Sequence, residues 1–229
     1  MNSPSRLTGL YAIADTRYLD DARLLPAVSD AIAGGARIIQ YRDKTHDAPT
    51  RLTQAKKIAA LCRQHGVLFL VNDDVALAKE SGADGVHLGR DDMPLAQARA
   101  VLGPRAIIGV SCYNELARAL KAENEGADYV AFGRFFPSRT KPQAVQAEPS
   151  LLREAKKKLH IPIVAIGGIT PENGASLLAA GADALAVIEG VFADVQGSTS
   201  PGPRGSASGP RGQADIRAAA SRYAQLFVK

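Results

Sequence analysis

The sequence predicts an α/β fold, a single (β/α)8 barrel. Three observations carry that reading: eight short apolar runs, helical periodicity between them, and an internal repeat that recurs four times. The first strand is LYAIAD from Leu10. The four repeats each open on Gly-Ala: GARIIQYR from Gly35, GADGVHLG from Gly82, GADYVAFG from Gly126 and GADALAVI from Gly181. Their starts lie 47, 44 and 55 residues apart, room for two strand-helix units each time, with glycine read as the end of a helix and the next residues as a buried strand. Between them fall VLFLVND from Val67, AIIGVSC from Ala106 and IPIVAIGGI from Ile161, each short enough for a parallel strand buried on both faces.

The intervening segments read as helices. LTQAKKIAALCRQHG puts Leu52, Ala55, Ile58, Ala59 and Cys62 on one face, and ELARALKAENEG does the same with Leu116, Ala119 and Leu120. Helix seven opens at Thr170-Pro171-Glu172, with Thr170 as N-cap and Pro171 at the first helical position, where no backbone donor is needed. Residues 197–212, GSTSPGPRGSASGPRG, are almost wholly Gly, Ser, Pro and Arg; such a composition builds no core and reads as a flexible linker before a last helix near 213–226. The whole of 1–229 is otherwise one domain, long enough for one substantial core. A doubly wound open sheet is the alternative, and the regular repeat favours closure.

Composition narrows the function classes. An apolar share of 46% with 22% charged residues describes an ordinary globular chain. No apolar run approaches the roughly 18 to 20 residues of a membrane span, and the start lacks a basic region followed by an apolar signal core, so no membrane partner and a cytoplasmic location are expected. Cys62 and Cys112 lack CxxC spacing and are expected as reduced buried thiols, not a disulfide or a zinc site. The net charge of +5 comes from scattered Lys and Arg that are not interleaved with aromatics, which fits anionic small molecules better than nucleic acid. Oligomeric state is not legible in the chain.

In a parallel barrel the site forms where strands end, so the residues after each apolar run carry the chemistry. After strand two, alternation places Gln40, Arg42 and Lys44 on one side, two cations and an amide suited to a diphosphate. Strand three ends in Asn72-Asp73-Asp74 and strand four runs into Gly89-Arg90-Asp91-Asp92; Asp73 with Asp92 supplies the carboxylate pair that magnesium takes alongside substrate phosphate and water. One of Asp73, Asp74 and Asp92 is expected to serve as a helix N-cap instead. His87 reads as a hydrogen-bonded interior histidine in preference to a catalytic base. Strand five delivers Ser111. The loop after strand six offers Ser138, Thr140 and Lys141 for phosphate oxygens, and strand seven ends in Gly167-Gly168, where missing side chains let backbone donors approach a ligand.

Taken in order, QYRDK, VNDDVALA, VHLGRDDMP, GVSCYN, FPSRTK and AIGGI resemble the motifs of the thiamine-phosphate synthase family, from about Leu10 to Phe192. The resemblance implies a barrel enzyme that couples 4-amino-2-methyl-5-(diphosphooxymethyl)pyrimidine to a thiazole monophosphate and releases pyrophosphate. It implies pyrimidine diphosphate contacts at Gln40, Arg42, Lys44, Asn72, Ser111 and Lys141, with Arg42, Lys44, Lys141 and Ser111 as the catalytic set. It further implies Mg2+ on Asp73 and Asp92, and thiazole phosphate contacts at Ser138, Thr140, Gly168, Ile188 and Glu189. The chain departs from the family pattern at Arg90, where Gln is usual, at Ser138, where Thr is usual, and at Glu189, where Ser is frequent. A carboxylate facing the thiazole phosphate would repel it, so contact is expected through the Ile188-Glu189 backbone with the Glu189 side chain turned away. The alternatives are a thiazole tautomerase of the same barrel group and a non-catalytic sensor of phosphorylated ligands; neither needs both a diphosphate clamp and a carboxylate pair.

Overall fold

The computed structural model describes residues 7–137, 145–193 and 213–228. Eight parallel strands, β1 (Gly9–Asp15), β2 (Ala36–Arg42), β3 (Leu68–Asn72), β4 (Gly85–Leu88), β5 (Ile107–Tyr113), β6 (Tyr129–Phe132), β7 (Ile163–Ile166) and β8 (Ala184–Val187), pair in sequence order. β8 pairs back on β1, so the sheet closes as the repeat predicts. The helices between them are α1 (Asp21–Ala33), α2 (Ala48–His65), α3 (Val75–Ser81), α4 (Leu95–Leu102), α5 (Leu116–Asn124), α6 (Pro149–Lys158) and α7 (Pro171–Ala179). After β8 come a single short turn, α8 (Glu189–Phe192), and α9 (Gln213–Ala224), which packs against both α1 and α7 and so completes the helical ring. The expected last helix is α9; α8 carries no sequence signal of its own. The 197–212 stretch lies outside the described residues.

Apolar alternation along the strands divides the core in two. Tyr11, Ile13, Ile38, Leu70, Tyr129 and Val164 point inward and fill the barrel. The other strand residues face the helices and meet stripes such as Ala55, Ile58, Ala59 and Cys62 of α2, the face read from the sequence. Cys62 and Cys112 are free and buried, and burial pushes both thiols up to about 12. Gly109 exists for packing: a Cβ there would lie 1.9 Å from the Tyr129 ring, so only glycine on β5 admits that phenol to the barrel interior.

The repeats organise the end of the barrel away from the strand C-termini. Gly82 is the left-handed cap of α3, whereas Gly35, Gly126 and Gly181 each follow the cap residue by one. The aspartates of the three Gly-Ala-Asp repeats then stitch neighbouring strands. Asp84 accepts from the Phe69 N–H at 2.9 Å, Asp128 from Ile108 at 2.7 Å and Asp183 from Ile163 at 2.9 Å. Repetition in this chain therefore belongs to the fold, and the rim at the other end is free to differ from strand to strand.

Candidate active site

The rim starts with a buried carboxylate. Asp15 closes β1, opposite Arg42 at the end of β2, and is 1% exposed. Arg42 Nη1 lies 2.6 Å from its Oδ2, while Arg17 grips both oxygens, Nη2 to Oδ2 at 2.8 Å and Nε to Oδ1 at 3.1 Å. Burial disfavours the charge on Asp15, but the hydrogen bonds from Arg17 and the field of both guanidinium groups outweigh it and hold the carboxyl below its ordinary value. Asp43, the next acid along the rim, is equally enclosed. It accepts from the N–H groups of Thr45 (2.8 Å) and His46 (3.1 Å), from Thr16 Oγ1 (3.0 Å) and from Tyr41 Oη (2.8 Å). Burial again opposes its charge; the bonds from Thr45, Tyr41 and His46 prevail and hold it far below the usual carboxylate range. Asp43 thereby fixes the turn that carries Lys44.

Lys44 Nζ reaches Asp73 Oδ2 at 2.6 Å. Asp73 sits at φ +64, an uncommon conformation for a non-glycine residue, and its carboxylate lies beside that of Asp92. Burial and the Asp73 carboxylate raise Asp92, while Lys44 and Asp92 together overcome burial and lower Asp73. Asp92 is anchored by the Gly89 N–H at 2.6 Å. Asp74 is the N-cap among the three candidates, accepting from the Leu77 N–H at 2.9 Å. Asp73 and Asp92 lie side by side, and no third His, Cys, Asp or Glu completes a metal cluster with them among the described residues.

Below the rim, five polar side chains form one chain across the barrel. Gln40 Nε2 donates to Tyr11 Oη at 2.7 Å; Tyr11 meets Tyr129 Oη at 2.9 Å; Tyr129 meets His87 Nδ1 at 2.8 Å; His87 Nε2 meets Ser111 Oγ at 2.8 Å. Burial raises both phenols far above their ordinary range, so they stay neutral and able to donate. His87 is the hydrogen-bonded interior histidine expected from the sequence. Its ring also stacks on Tyr129 with centroids 5.6 Å apart.

These groups face a cavity of about 590 Å³ at the strand C-termini. Gln40, Arg42, Asn72, His87 and Ser111 line one wall, and Gly167, Gly168, Ile188 and Glu189 the other. Lys44, Asp73 and Asp92 stand beside the cavity, not in its lining. The second wall is mostly backbone. Gly168, at φ +62, has the Pro137 carbonyl 2.3 Å from where a Cβ would be, so the glycine is required by the packing of the preceding loop. Glu189 accepts from Tyr18 Oη at 3.0 Å, which ties its carboxylate to the loop after β1. Ser138, Thr140 and Lys141 lie outside the described residues.

Six residues at or under the site were not singled out from sequence. Asp15 follows the same rule as the others, a polar residue closing an apolar run, and that rule finds it. Tyr11 and Tyr129 give only a faint signal, a polar-tipped aromatic at an inward position of a buried strand. The C-terminal helix gave none: Ala219, Arg222 and Tyr223 of α9 also line the cavity, and Tyr223 Oη donates to the Ile169 carbonyl at 2.9 Å.

Comparison with known proteins places the chain in a family. A family model described as thiamine monophosphate synthase matches residues 10–191. The thiamine-phosphate synthase of Nitrosococcus oceani is 51% identical over 223 residues, covering 97% of this chain and 94% of its own. That of Thioalkalivibrio sulfidiphilus is 54% identical over 188 residues, covering 82% and 89%. Among solved structures, the thiamine phosphate pyrophosphorylase of Pyrococcus furiosus superposes with a TM-score of 0.78 at 33% identity, covering 96% of this chain and 95% of the other.

Proposed function

Because the chain belongs to the thiamine monophosphate synthase family, we propose the division of labour by which its rim performs that family's reaction. The enzyme joins a pyrimidine carried as its diphosphate ester to a thiazole monophosphate, giving thiamine phosphate and pyrophosphate. Its partners are small phosphorylated molecules, and we assign its work to the cytoplasm, where such soluble phosphates are handled. Among the described residues no helix is long and apolar enough to cross a membrane.

The observation that carries the division is the contrast between the cavity walls: Gln40, Arg42, Asn72 and Ser111 on one side, Gly168 and Ile188 on the other. The polar wall takes the diphosphate. Arg42, Lys44 and Lys141 supply positive charge, and Gln40, Asn72 and Ser111 orient the ester. The backbone wall takes the thiazole phosphate through Gly168 and the Ile188-Glu189 N–H groups, with Ser138 and Thr140. A tautomerase acting on thiazole phosphate alone would leave the first wall without a task.

The donor set at Asp73 and Asp92 fits magnesium. Two hard carboxylates at neighbouring strand ends each bear on the other's charge, and with only two protein ligands such an ion keeps positions for water and phosphate oxygen. Bound there, magnesium would neutralise charge building on the departing pyrophosphate. The bond between the pyrimidine methylene and pyrophosphate oxygen breaks with its electron pair going to oxygen, and the thiazole nitrogen supplies the pair that forms the new carbon–nitrogen bond. No side chain acts as nucleophile. The protein's contribution is electrostatic stabilisation and alignment of two substrates.

The test is pyrophosphate release from the pyrimidine diphosphate, with and without thiazole phosphate and magnesium. Release that requires all three components is expected. Turnover that proceeds at the full rate without magnesium would remove Asp73 and Asp92 from this scheme.

A further inference from the structure

Asp15 is enclosed at the rim, yet the reaction as described gives it no task. Its single carboxylate is shared by two guanidinium groups, and the sharing is unequal. Arg17 holds both oxygens through its side chain and adds its own backbone N–H to Oδ1 at 3.0 Å. Arg42 touches one oxygen, Nη1 to Oδ2 at 2.6 Å. A guanidinium has five N–H donors, so the contact fixes Arg42 while the fork keeps donors for the cavity it lines. Arg17 is absent from that lining and its side chain is 39% exposed. Asp15 is thus met by two positive charges, and the second acid near this group, Glu189, bears on Arg17.

We infer that Asp15 is the positioning residue for Arg42, and that Arg17 is the counter-charge that keeps Asp15 paired whether or not Arg42 is engaged by ligand. Without Arg17, a nearly buried carboxylate would compete with the substrate for Arg42, because withdrawing the only cation from a buried acid leaves it uncompensated. With Arg17 in place, Arg42 can turn its donors to a diphosphate at small cost. The inference rests on reading Arg42 as a diphosphate contact.

The test is a double-mutant cycle on Asp15 and Arg42, with KM measured separately for each substrate. Arg42→Ala alone tests the underlying reading: an unchanged KM for the pyrimidine diphosphate overturns that reading and the inference with it. If Arg42→Ala raises this KM, Asp15→Asn should raise it about tenfold, the weight of one charge-assisted hydrogen bond, with the thiazole phosphate KM changed less than twofold. Added to Arg42→Ala, Asp15→Asn should then have no further effect on the pyrimidine diphosphate KM. Equal rises in both KM values, or a full additive effect in the double variant, would mean that Asp15 acts through the fold and would overturn the inference alone. Arg17→Ala offers the same answer if Asp15→Asn does not fold. It should raise the pyrimidine diphosphate KM about threefold, the order of a partly exposed ion pair, and no rise would overturn the counter-charge role.

Discussion

The two halves of the rim are built from different materials. From β1 to β5 the rim consists of charged and polar side chains that hold one another: Asp15 holds Arg42, Lys44 meets Asp73, and Asp43 fixes the intervening turn. From β7 to β8 it consists of Gly167, Gly168 and the start of α8, where the chain itself faces the cavity. The first material lets a site present several charges but needs a second layer of carboxylates to keep them in place. The second needs no such layer, because the backbone is already fixed by packing against Arg134 and Pro137. The two halves should therefore fail differently at the residues that line the cavity: on the first, altering them should lose chemistry and keep the fold; on the second, it should lose fold.

The sharpest break on the side-chain half is Arg42→Ala. Removing a preorganised donor from a developing charge lowers kcat/KM for the pyrimidine diphosphate by about 10²- to 10³-fold. The thermal unfolding midpoint should move little, since Asp15 keeps Arg17. Steady-state kinetics and a melting curve on the same preparation separate these effects; a variant that melts early but retains its kcat/KM would contradict the comparison.

Gly168→Ala is the corresponding break on the backbone half. At φ +62 with a carbonyl 2.3 Å from the added carbon, the methyl cannot be accommodated without moving the Pro137 segment. A cost of about 2 to 3 kcal/mol follows, or a melting shift of roughly 5 to 10 °C for a chain of this size. The sequence identified this glycine as a site residue for the ligand's sake. What it could not display is the opposing loop, which makes glycine necessary on packing grounds alone.

That difference marks how much was readable. Strand number, barrel closure and the Thr170 cap follow from periodicity and local chemistry, which a linear chain carries in full. Gln40, Arg42, Asn72 and Ser111 follow from their position at strand ends, a rule that depends only on the fold. The partnerships among them do not. Asp15 to Arg42 spans 27 residues and His87 to Ser111 spans 24, and alternation along a strand says which way each side chain points without saying what it meets. The Tyr11–Tyr129 contact, 118 residues apart, depends on the absence of a side chain at Gly109. α8 was missed because a single turn has no period.

A smaller effect sharpens the role of the second layer. Asp43 is held below its unfolded value, so its contribution to stability is complete above the ordinary carboxylate range, near pH 4, and is lost as pH falls through its folded value. Asp43→Asn should cost about 2 kcal/mol from pH 5 to 8, the worth of hydrogen bonds to a charged acceptor. The gap to the parent should narrow as the pH drops below about 4. Denaturant midpoints across that range test this; a gap that stays constant down to pH 2 would show that charge on Asp43 is not what fixes the Lys44 turn.

The smallest expected effect falls where the two halves meet. Glu189 opens α8 on the backbone wall, a carboxylate beside the proposed site of a phosphate dianion, and like charges there would weaken binding. Its carboxylate instead accepts from Tyr18 Oη on the loop after β1, which draws it toward the side-chain half, where Arg17 adds positive charge nearby. A charge so engaged costs the ligand little. Glu189→Ser should therefore change the thiazole phosphate KM by less than about twofold, the scale of an exposed polar contact, and leave the pyrimidine diphosphate KM unaltered. A large gain in thiazole phosphate affinity would mean that the carboxylate faces the phosphate when ligand is bound, and that the backbone wall tolerates a repulsive side chain the other half would have neutralised.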